Sequence, residues 1–137
     1  MPKIVINTDG GARNNPGPAG AGFVIREGDH LLFEGKQYLG SQTNNWAEYE
    51  AVALALAQAK SLGLSDREVE VRMDSKLVVE QVMGNWKIKE PTLKPQLAKV
   101  KVLLGDFPGY QFVYVPRAEN ADADRLVNEA IDEGQGL

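Results

Sequence analysis

Four acidic side chains hold positions from which carboxylates can bind metal ions. Asp9 and Asp74 each directly follow an apolar, strand-like run, and in sheets with crossover helices ligands bind beyond the carboxyl ends of the strands. Glu48 and Asp124 lie in helical patterns, where Glu48 heads an apolar stripe and Asp124 borders another. These positions predict that all four side chains face either the packed part of the protein or the ligand-binding edge of a sheet.

Carboxylates that converge repel one another unless cations neutralise them. Ligation by oxygen atoms alone suits Mg²⁺ or Mn²⁺ and does not suit zinc. Two such ions about 4 Å apart can activate a water molecule and stabilise the leaving oxygen of a phosphodiester. The four acids together therefore predict a metal site suited to phosphodiester hydrolysis.

Each acid also has a purely structural alternative. Asp9 precedes a glycine pair and is typical of a turn, and Asp74 is a favourable N-cap for the helix after it. Glu48 would complete a capping box with Asn45 as the N-cap. Asp124 would be a surface acid near a helix N-terminus, where the helix dipole favours it. The metal interpretation depends on finding all four acids together.

Composition narrows the class of protein. The 137 residues, 43% hydrophobic and 25% charged, predict a single globular domain over residues 1–137. The absence of cysteine excludes thiolate zinc sites and redox chemistry and favours the cytoplasm. No apolar run is long enough to cross a membrane, and the N-terminus has no signal-peptide pattern. The net charge of −4 argues against a protein that only binds nucleic acid, although five lysines and one acid lie in residues 84–102.

The pattern of apolar residues and turn formers predicts five strands and four helices. The order is βββαβααβα, an α/β fold in which a mixed sheet starts with three antiparallel strands, gains parallel strands by crossover and is flanked by helices. A turn-rich loop over residues 10–20 joins the first two strands, and it lacks the ending of a nucleotide-binding P-loop. The predicted strands are 3–8, 21–26, 30–39, 68–73 and 110–115, and the predicted helices are 46–62, 75–83, a stretch ending near Gly105, and one from an N-cap at Asn120 to about residue 133.

Four stretches carry a resemblance to a known family: TDGGARNNPGPAGAG, TNNWAEYEAVALAL, VEVRMDSKLVVEQVMGNWKIK and VPRAENADADRLVNEA. With the strands between them, they resemble the type 1 ribonucleases H over essentially the whole chain. The resemblance implies the ribonuclease H-like fold and cleavage of the RNA strand of RNA/DNA hybrids by two metal ions, leaving 5′-phosphate and 3′-hydroxyl ends. It further implies that Asp9 bridges both ions, that Glu48 and Asp74 complete one metal site, and that Asp124 completes the other.

The resemblance also implies contacts to the substrate. The asparagines match positions that contact sugars and base edges in the minor groove, where a 2′-hydroxyl distinguishes RNA from DNA. Thr43 matches a residue that binds a phosphate of the DNA strand, and Trp86 with two lysines matches the segment along that strand. Taken alone, the asparagines would be turn formers or caps and Trp86 would be a core residue. The predicted substrate-binding residues are Gly10, Gly11, Asn14, Asn15, Thr43, Asn44, Asn45, Ser75, Trp86, Lys87, Lys89 and Arg117.

Two departures from the family pattern qualify this expectation. The loop before the last aspartate has no histidine, so Arg117 or Glu119 is a candidate to replace it, and the sole histidine, His30, starts the third predicted strand. The segment after Trp86 is too short for the full basic protrusion of some relatives. The expected partner is an RNA/DNA hybrid bound by a monomer. The alternatives are a nuclease of the same fold that acts on duplex RNA or DNA, a catalytically silent nucleic-acid-binding module, and a metallophosphatase.

Overall fold

The computed structural model describes residues 2–137, and it confirms the predicted fold class and element order. A short 3₁₀ turn over Arg117–Asn120 is an addition to the predicted elements. The strands are β1 (Ile4–Ala12), β2 (Gly17–Glu27), β3 (His30–Gln42), β4 (Val69–Met73) and β5 (Tyr110–Tyr114), and the helices are α1 (Asn44–Ser61), α2 (Lys76–Val82), α3 (Leu93–Leu104) and α4 (Ala121–Gly134).

The five strands form one mixed sheet in the order β3-β2-β1-β4-β5. The strand pairs β1–β2 and β2–β3 are antiparallel, whereas β1–β4 and β4–β5 are parallel. Helices cover both faces of the sheet. A side chain at Gly10 would meet α1, and one at Gly11 would point toward Val127 of α4, because successive residues of a strand face opposite sides.

The first strand ends four residues later than predicted, and the joining loop is only residues 13–16. The pairing of β1 with β2 continues to Ala12, although its pairing with β4 ends at Asn7. Gly10 and Gly20, which looked like turn formers, are strand residues against which helices pack closely. A Cβ on Gly10 would lie 2.2 Å from the Ala47 carbonyl oxygen, and one on Gly20 would lie 2.9 Å from that of Val127.

The main hydrophobic core fills the space between the sheet and helices α1, α2 and α3. Its largest fully buried members include Ile4 and Ile6 of β1, Tyr49 and Leu56 of α1, and Leu104 of α3. Burial of such side chains is the main favourable term in folding, at about 25 cal/mol for each Å² of apolar surface removed from water. This core fixes α1 against β1 and thereby brings Glu48 close to Asp9.

Candidate active site

A cleft of about 330 Å³ opens at the end of the sheet where β1 and β4 separate. Three carboxylates, Asp9, Glu48 and Asp74, line it, and each offers one oxygen atom within 4.8 Å of those of the other two. Asp9 and Glu48 are buried, and Asp74 is half-buried. Three converging oxygen ligands at this spacing can hold a divalent cation.

The strand register explains why Asp9 and Asp74 meet. Parallel pairing of β1 with β4 ends at Asn7 and Arg72, so Asp9 lies beyond the paired region although β1 itself continues. Asp74 follows Met73, the last residue of β4. Both carboxylates therefore lie beyond the parallel pairing, at the edge where ligands bind in crossover sheets.

Glu48 is held in the cleft by the backbone of β1. Its Oε1 accepts a hydrogen bond from the Gly10 N–H at 2.6 Å, and the same N–H lies 3.0 Å from Oδ1 of Asp9. The N-cap of α1 is Thr43, whose hydroxyl accepts from the Trp46 N–H at 3.2 Å. The capping-box alternative with Asn45 as N-cap is therefore wrong.

Asp74 is likewise not a helix cap. Ser75 is the N-cap of α2, and its hydroxyl accepts from the Val78 N–H at 3.3 Å. The Oδ1 atom of Asp74 instead accepts a hydrogen bond from Nδ2 of Asn120 at 3.2 Å. The cap alternative for Asp74 is wrong, and its carboxylate is left to face the cleft.

Asn120 is a site residue that the sequence did not identify. It is the N-cap of α4 by position, as predicted, but its side chain makes no capping hydrogen bond. Its Nδ2 donates to the Thr8 carbonyl at 2.9 Å as well as to Asp74, and its Oδ1 accepts from Asn7 at 3.1 Å. An asparagine before a helix is typical of a cap, so local sequence carried no sign of these longer-range contacts.

Within residues 2–137, the buried carboxylates of Asp9 and Glu48 form no ion pair with a cationic side chain. Burial, followed by the negative charges of Asp74 and Asp124, raises the pKa of Asp9 from 3.8 to about 7, although a hydrogen bond with Glu48 opposes the rise. Burial also raises the pKa of Glu48 well above its usual range, with the charge of Asp9 second, although the Gly10 N–H opposes this. The cleft therefore favours either protons or a metal ion beside these groups.

Asp124 lies on α4 at the rim of the same cleft. Its side chain is one-third exposed, and it is not part of the group of three whose oxygen atoms converge. One of its carboxylate oxygens is 3.6 Å from a guanidinium nitrogen of Arg117, whose side chain is largely exposed. Arg117 thus lies at the mouth of the cleft, in the loop that has no histidine.

Comparison with known proteins gives the following matches. A family model described as reverse transcriptase-like matches residues 7–130. The bifunctional protein Rv2228c of Mycobacterium tuberculosis is 48% identical over 132 residues, which are 95% of this chain and 36% of that protein. Ribonuclease HI of Halobacterium salinarum is 42% identical over 126 residues, 91% of this chain and 62% of that protein. LC11-RNase H1 from compost, solved with an RNA/DNA hybrid, is 52% identical with a TM-score of 0.93, covering 97% of this chain and 99% of that chain. The chain belongs to the ribonuclease H family.

The chain spans about a third of the length of the mycobacterial relative. The family and its carboxylate cluster indicate the use of a divalent metal ion. Within residues 2–137, no helix is both long and apolar enough to cross a membrane.

The asparagines predicted to bind substrate fasten the loop after β1 to the start of α1. Oδ1 of Asn15 accepts from the Asn44 N–H at 3.0 Å, and Oδ1 of Asn44 accepts from the Ala12 N–H at 2.7 Å. Asn14 is exposed and has a φ of 65°, a left-handed conformation that asparagine tolerates. Asn44 and Asn45 line the cleft, so the loop and α1 present amide groups beside the carboxylates.

The glycines and hydroxyl residues that were predicted to contact substrate have structural roles or line the cleft. Gly11 lines the cleft, while the lack of a side chain at Gly10 is already required by α1. Thr43 and Ser75 are helix caps, and their predicted contacts to substrate stay predictions.

Trp86 is exposed over 44% of its surface, so the alternative that it belongs to the core is wrong. With Lys87 and Lys89 it borders a groove of about 580 Å³. Asn45 lines both this groove and the carboxylate cleft, and therefore joins the two. The structure brings the predicted catalytic and basic residues into one continuous surface.

Proposed function

We propose that this chain is a metal-dependent endoribonuclease that hydrolyses the RNA strand of RNA/DNA hybrids and leaves 5′-phosphate and 3′-hydroxyl ends. The observation that carries the proposal is the convergence of Asp9, Glu48 and Asp74 in an open cleft, in a member of the ribonuclease H family. A relative that is 52% identical over nearly its whole length has been solved with an RNA/DNA hybrid. That relative supports the same substrate class for this chain.

Asp9, Glu48 and Asp74 are proposed to hold Mg²⁺ or Mn²⁺, and Asp124 is proposed to complete the position of a second ion. Two buried acids that have no cationic partner in the described part of the chain, and that offer only oxygen ligands, fit such ions. When bound, divalent cations neutralise the acids, lower the pKa of a water molecule and balance the negative charge on the scissile phosphate. The Gly10 N–H keeps the Asp9 and Glu48 carboxylates in place, and Asn120 orients Asp74.

Recognition of the hybrid is proposed to follow the surface around the cleft. The amides of Asn44 and Asn45 would meet sugars and base edges beside the carboxylates, and donors of this kind can bind a 2′-hydroxyl. Trp86, Lys87 and Lys89 would contact the DNA strand in the adjoining groove. Arg117 would meet a phosphate at the mouth of the cleft and contribute where a histidine is absent.

Cleavage of a labelled RNA/DNA hybrid, assayed beside RNA/RNA and DNA/DNA duplexes of the same sequence with Mg²⁺ or Mn²⁺, tests the proposal. We expect cleavage of the RNA strand of the hybrid only, and mapped product ends should carry 5′-phosphates. Preference for another duplex would replace the proposal with a different nuclease of this fold. Binding of the hybrid without cleavage in either metal would replace it with a binding module.

We further propose that residues 1–137 form one ribonuclease H domain that acts as a monomer in the cytoplasm. Sedimentation of the full chain with and without hybrid measures the oligomeric state, and a dimer would contradict the proposal. Microscopy of a tagged chain in its host cells would test the compartment.

A further inference from the structure

A buried hydrogen bond links the helix that carries Glu48 to helix α2. The Tyr49 hydroxyl donates to Oε1 of Gln81 at 2.7 Å, and the two residues are 0% and 5% exposed. Buried polar groups destabilise the folded state unless they are hydrogen-bonded, and an apolar pair would fill this place at no such cost. Neither side chain belongs to the converging carboxylates. The pair therefore calls for an explanation beyond packing.

The substrate segment, which we define as residues 85–89, follows α2 and is hydrogen-bonded to its last turn. The backbone N–H groups of Asn85 and Trp86 both donate to the Glu80 carbonyl, at 2.9 and 3.2 Å. Nδ2 of Asn85 also donates to the Glu80 carboxylate at 3.1 Å. These bonds fix only the first two residues of the segment.

The middle of the segment is held by Gln81. Its Nε2 lies 3.5 Å from the Lys87 carbonyl, a long hydrogen bond that Gln81 can make because Tyr49 fixes its other amide atom. The side chains of Trp86, Lys87 and Lys89 are exposed, and none makes a hydrogen bond or ion pair within the part of the chain described, residues 2–137. Gln81 also lines both grooves that flank the segment. Ile88 of the segment packs against the hydrophobic core, so Gln81 supplies the polar anchor of the segment's middle.

We propose that Tyr49 and Gln81 form a positioning pair that sets the distance between the carboxylates and the substrate segment. Tyr49 directly follows Glu48 on α1, so the chain of contacts runs from the cleft through Gln81 to Lys87 without touching substrate. This inference rests on the proposed function and deepens it. It assigns the register of hybrid binding to two buried residues.

We expect the pair to act on binding and not on chemistry, because neither residue is among the converging carboxylates or lines the cleft that holds them. We expect Tyr49→Phe and Gln81→Met each to raise KM for a hybrid about fivefold, the equivalent of one net hydrogen bond. The kcat value at saturating hybrid should stay unchanged. The double variant should resemble either single variant, because both remove the same link. Tyr114→Phe is the matched control and should behave as the unaltered chain, because Tyr114 is exposed and its hydroxyl donates no hydrogen bond within residues 2–137.

A second measurement reports the segment directly and does not need activity. The chain has two tryptophans, so in a Trp46→Phe background Trp86 is the only one. We expect Tyr49→Phe in that background to increase acrylamide quenching and lower the fluorescence anisotropy of Trp86, while Tyr114→Phe changes neither.

Three outcomes would overturn the inference. One is lowered thermal stability with unchanged KM and unchanged Trp86 fluorescence, which would make the pair purely structural. Another is a fall in kcat at constant KM, which would place its effect on the carboxylates. The third is an additive double variant. If the unaltered chain fails to cleave hybrid, the proposed function fails, and the Trp86 measurement still decides whether the pair positions the segment.

Discussion

Two regions of the sheet bury carboxylates to a similar extent but surround them differently. Glu70 on β4 is 6% exposed and Asp9 on β1 is 8% exposed. Glu70 forms ion pairs with Lys3 at 2.6 Å and with Arg72 at 2.5 Å, and the Lys3 hydrogen bond, followed by that of Arg72, lowers its pKa. Asp9 has acidic neighbours and a raised pKa. Burial alone therefore does not distinguish a structural acid from one suited to binding a metal ion. The sign of the charge on the neighbouring side chains does.

The largest expected effect separates the two regions by activity. Asp9→Asn keeps the shape of the side chain and removes its charge, so hybrid cleavage should fall at least about 10³-fold, a loss of roughly 4 kcal/mol in transition-state stabilisation. Glu70→Gln is the matched control and should cleave hybrid normally once folded. Equal rates for Asp9→Asn and the unaltered chain would remove Asp9 from the mechanism.

The raised pKa of Asp9 should also make the stability of the metal-free protein depend on pH. In metal-free protein, Asp9 has a pKa of about 7 when folded and near 3.8 when unfolded, so the folded state keeps a proton that the unfolded state releases. Its stabilising contribution is full below pH 4 and is lost as the pH rises through 7. The loss is at most about 4 kcal/mol, since each pH unit of difference is worth about 1.4 kcal/mol.

Urea unfolding in a chelator at pH 5 and pH 8 measures this effect. Between pH 5 and pH 8, the free energy of unfolding should fall less in Asp9→Asn than in the unaltered chain, because the asparagine side chain has no proton to lose. A pH dependence that is the same in both proteins would show that Asp9 has an ordinary pKa.

A smaller effect concerns stability at neutral pH. Glu70→Gln weakens the bonds to Lys3 and Arg72 and should lower the free energy of unfolding by about 1–3 kcal/mol, the range for losing bonds to a charged group. Glu48→Gln should instead stabilise metal-free protein, because it removes a buried charge without a cation. Chemical unfolding in a chelator at pH 7.5 compares them. Destabilisation by both substitutions to the same degree would erase the contrast.

The smallest effect tests how Asp74 is oriented. Asn120→Ala removes the amide that donates to Asp74 and to the Thr8 carbonyl, so we expect about a tenfold loss of kcat, or 1.4 kcal/mol. Asn7→Ala removes a contact to Asn120 only and is the matched control, with a smaller loss. Unchanged kcat in Asn120→Ala would leave Asp74 oriented by its backbone alone.

The sequence predicted the architecture well where the pattern was local. The alternating apolar run of β4 and the apolar stripe of α1 indicated elements whose observed ends differ from the predictions by at most two residues. It failed along β1, because the glycines that permit close contact with a helix are the same residues that form turns. Gly10 looks like a turn residue until Ala47 is placed 2.2 Å from its missing Cβ.

The site was predictable to the extent that its residues have unusual neighbours. Glu48 was detectable because a charge heads an apolar stripe, and Asp74 because it ends a strand. Asn120 and Gln81 were not, since each acts through partners more than thirty residues away in the chain, Thr8 and Tyr49. Long-range hydrogen bonds of this kind leave no periodic or local pattern in a sequence.

The most direct test of the metal site is anomalous diffraction from crystals of the full chain soaked in Mn²⁺ alone. The account predicts an anomalous peak bonded to carboxylate oxygens of Asp9, Glu48 and Asp74, and no peak at Glu70. No peak between these three acids, at a Mn²⁺ concentration that supports hybrid cleavage, would contradict it.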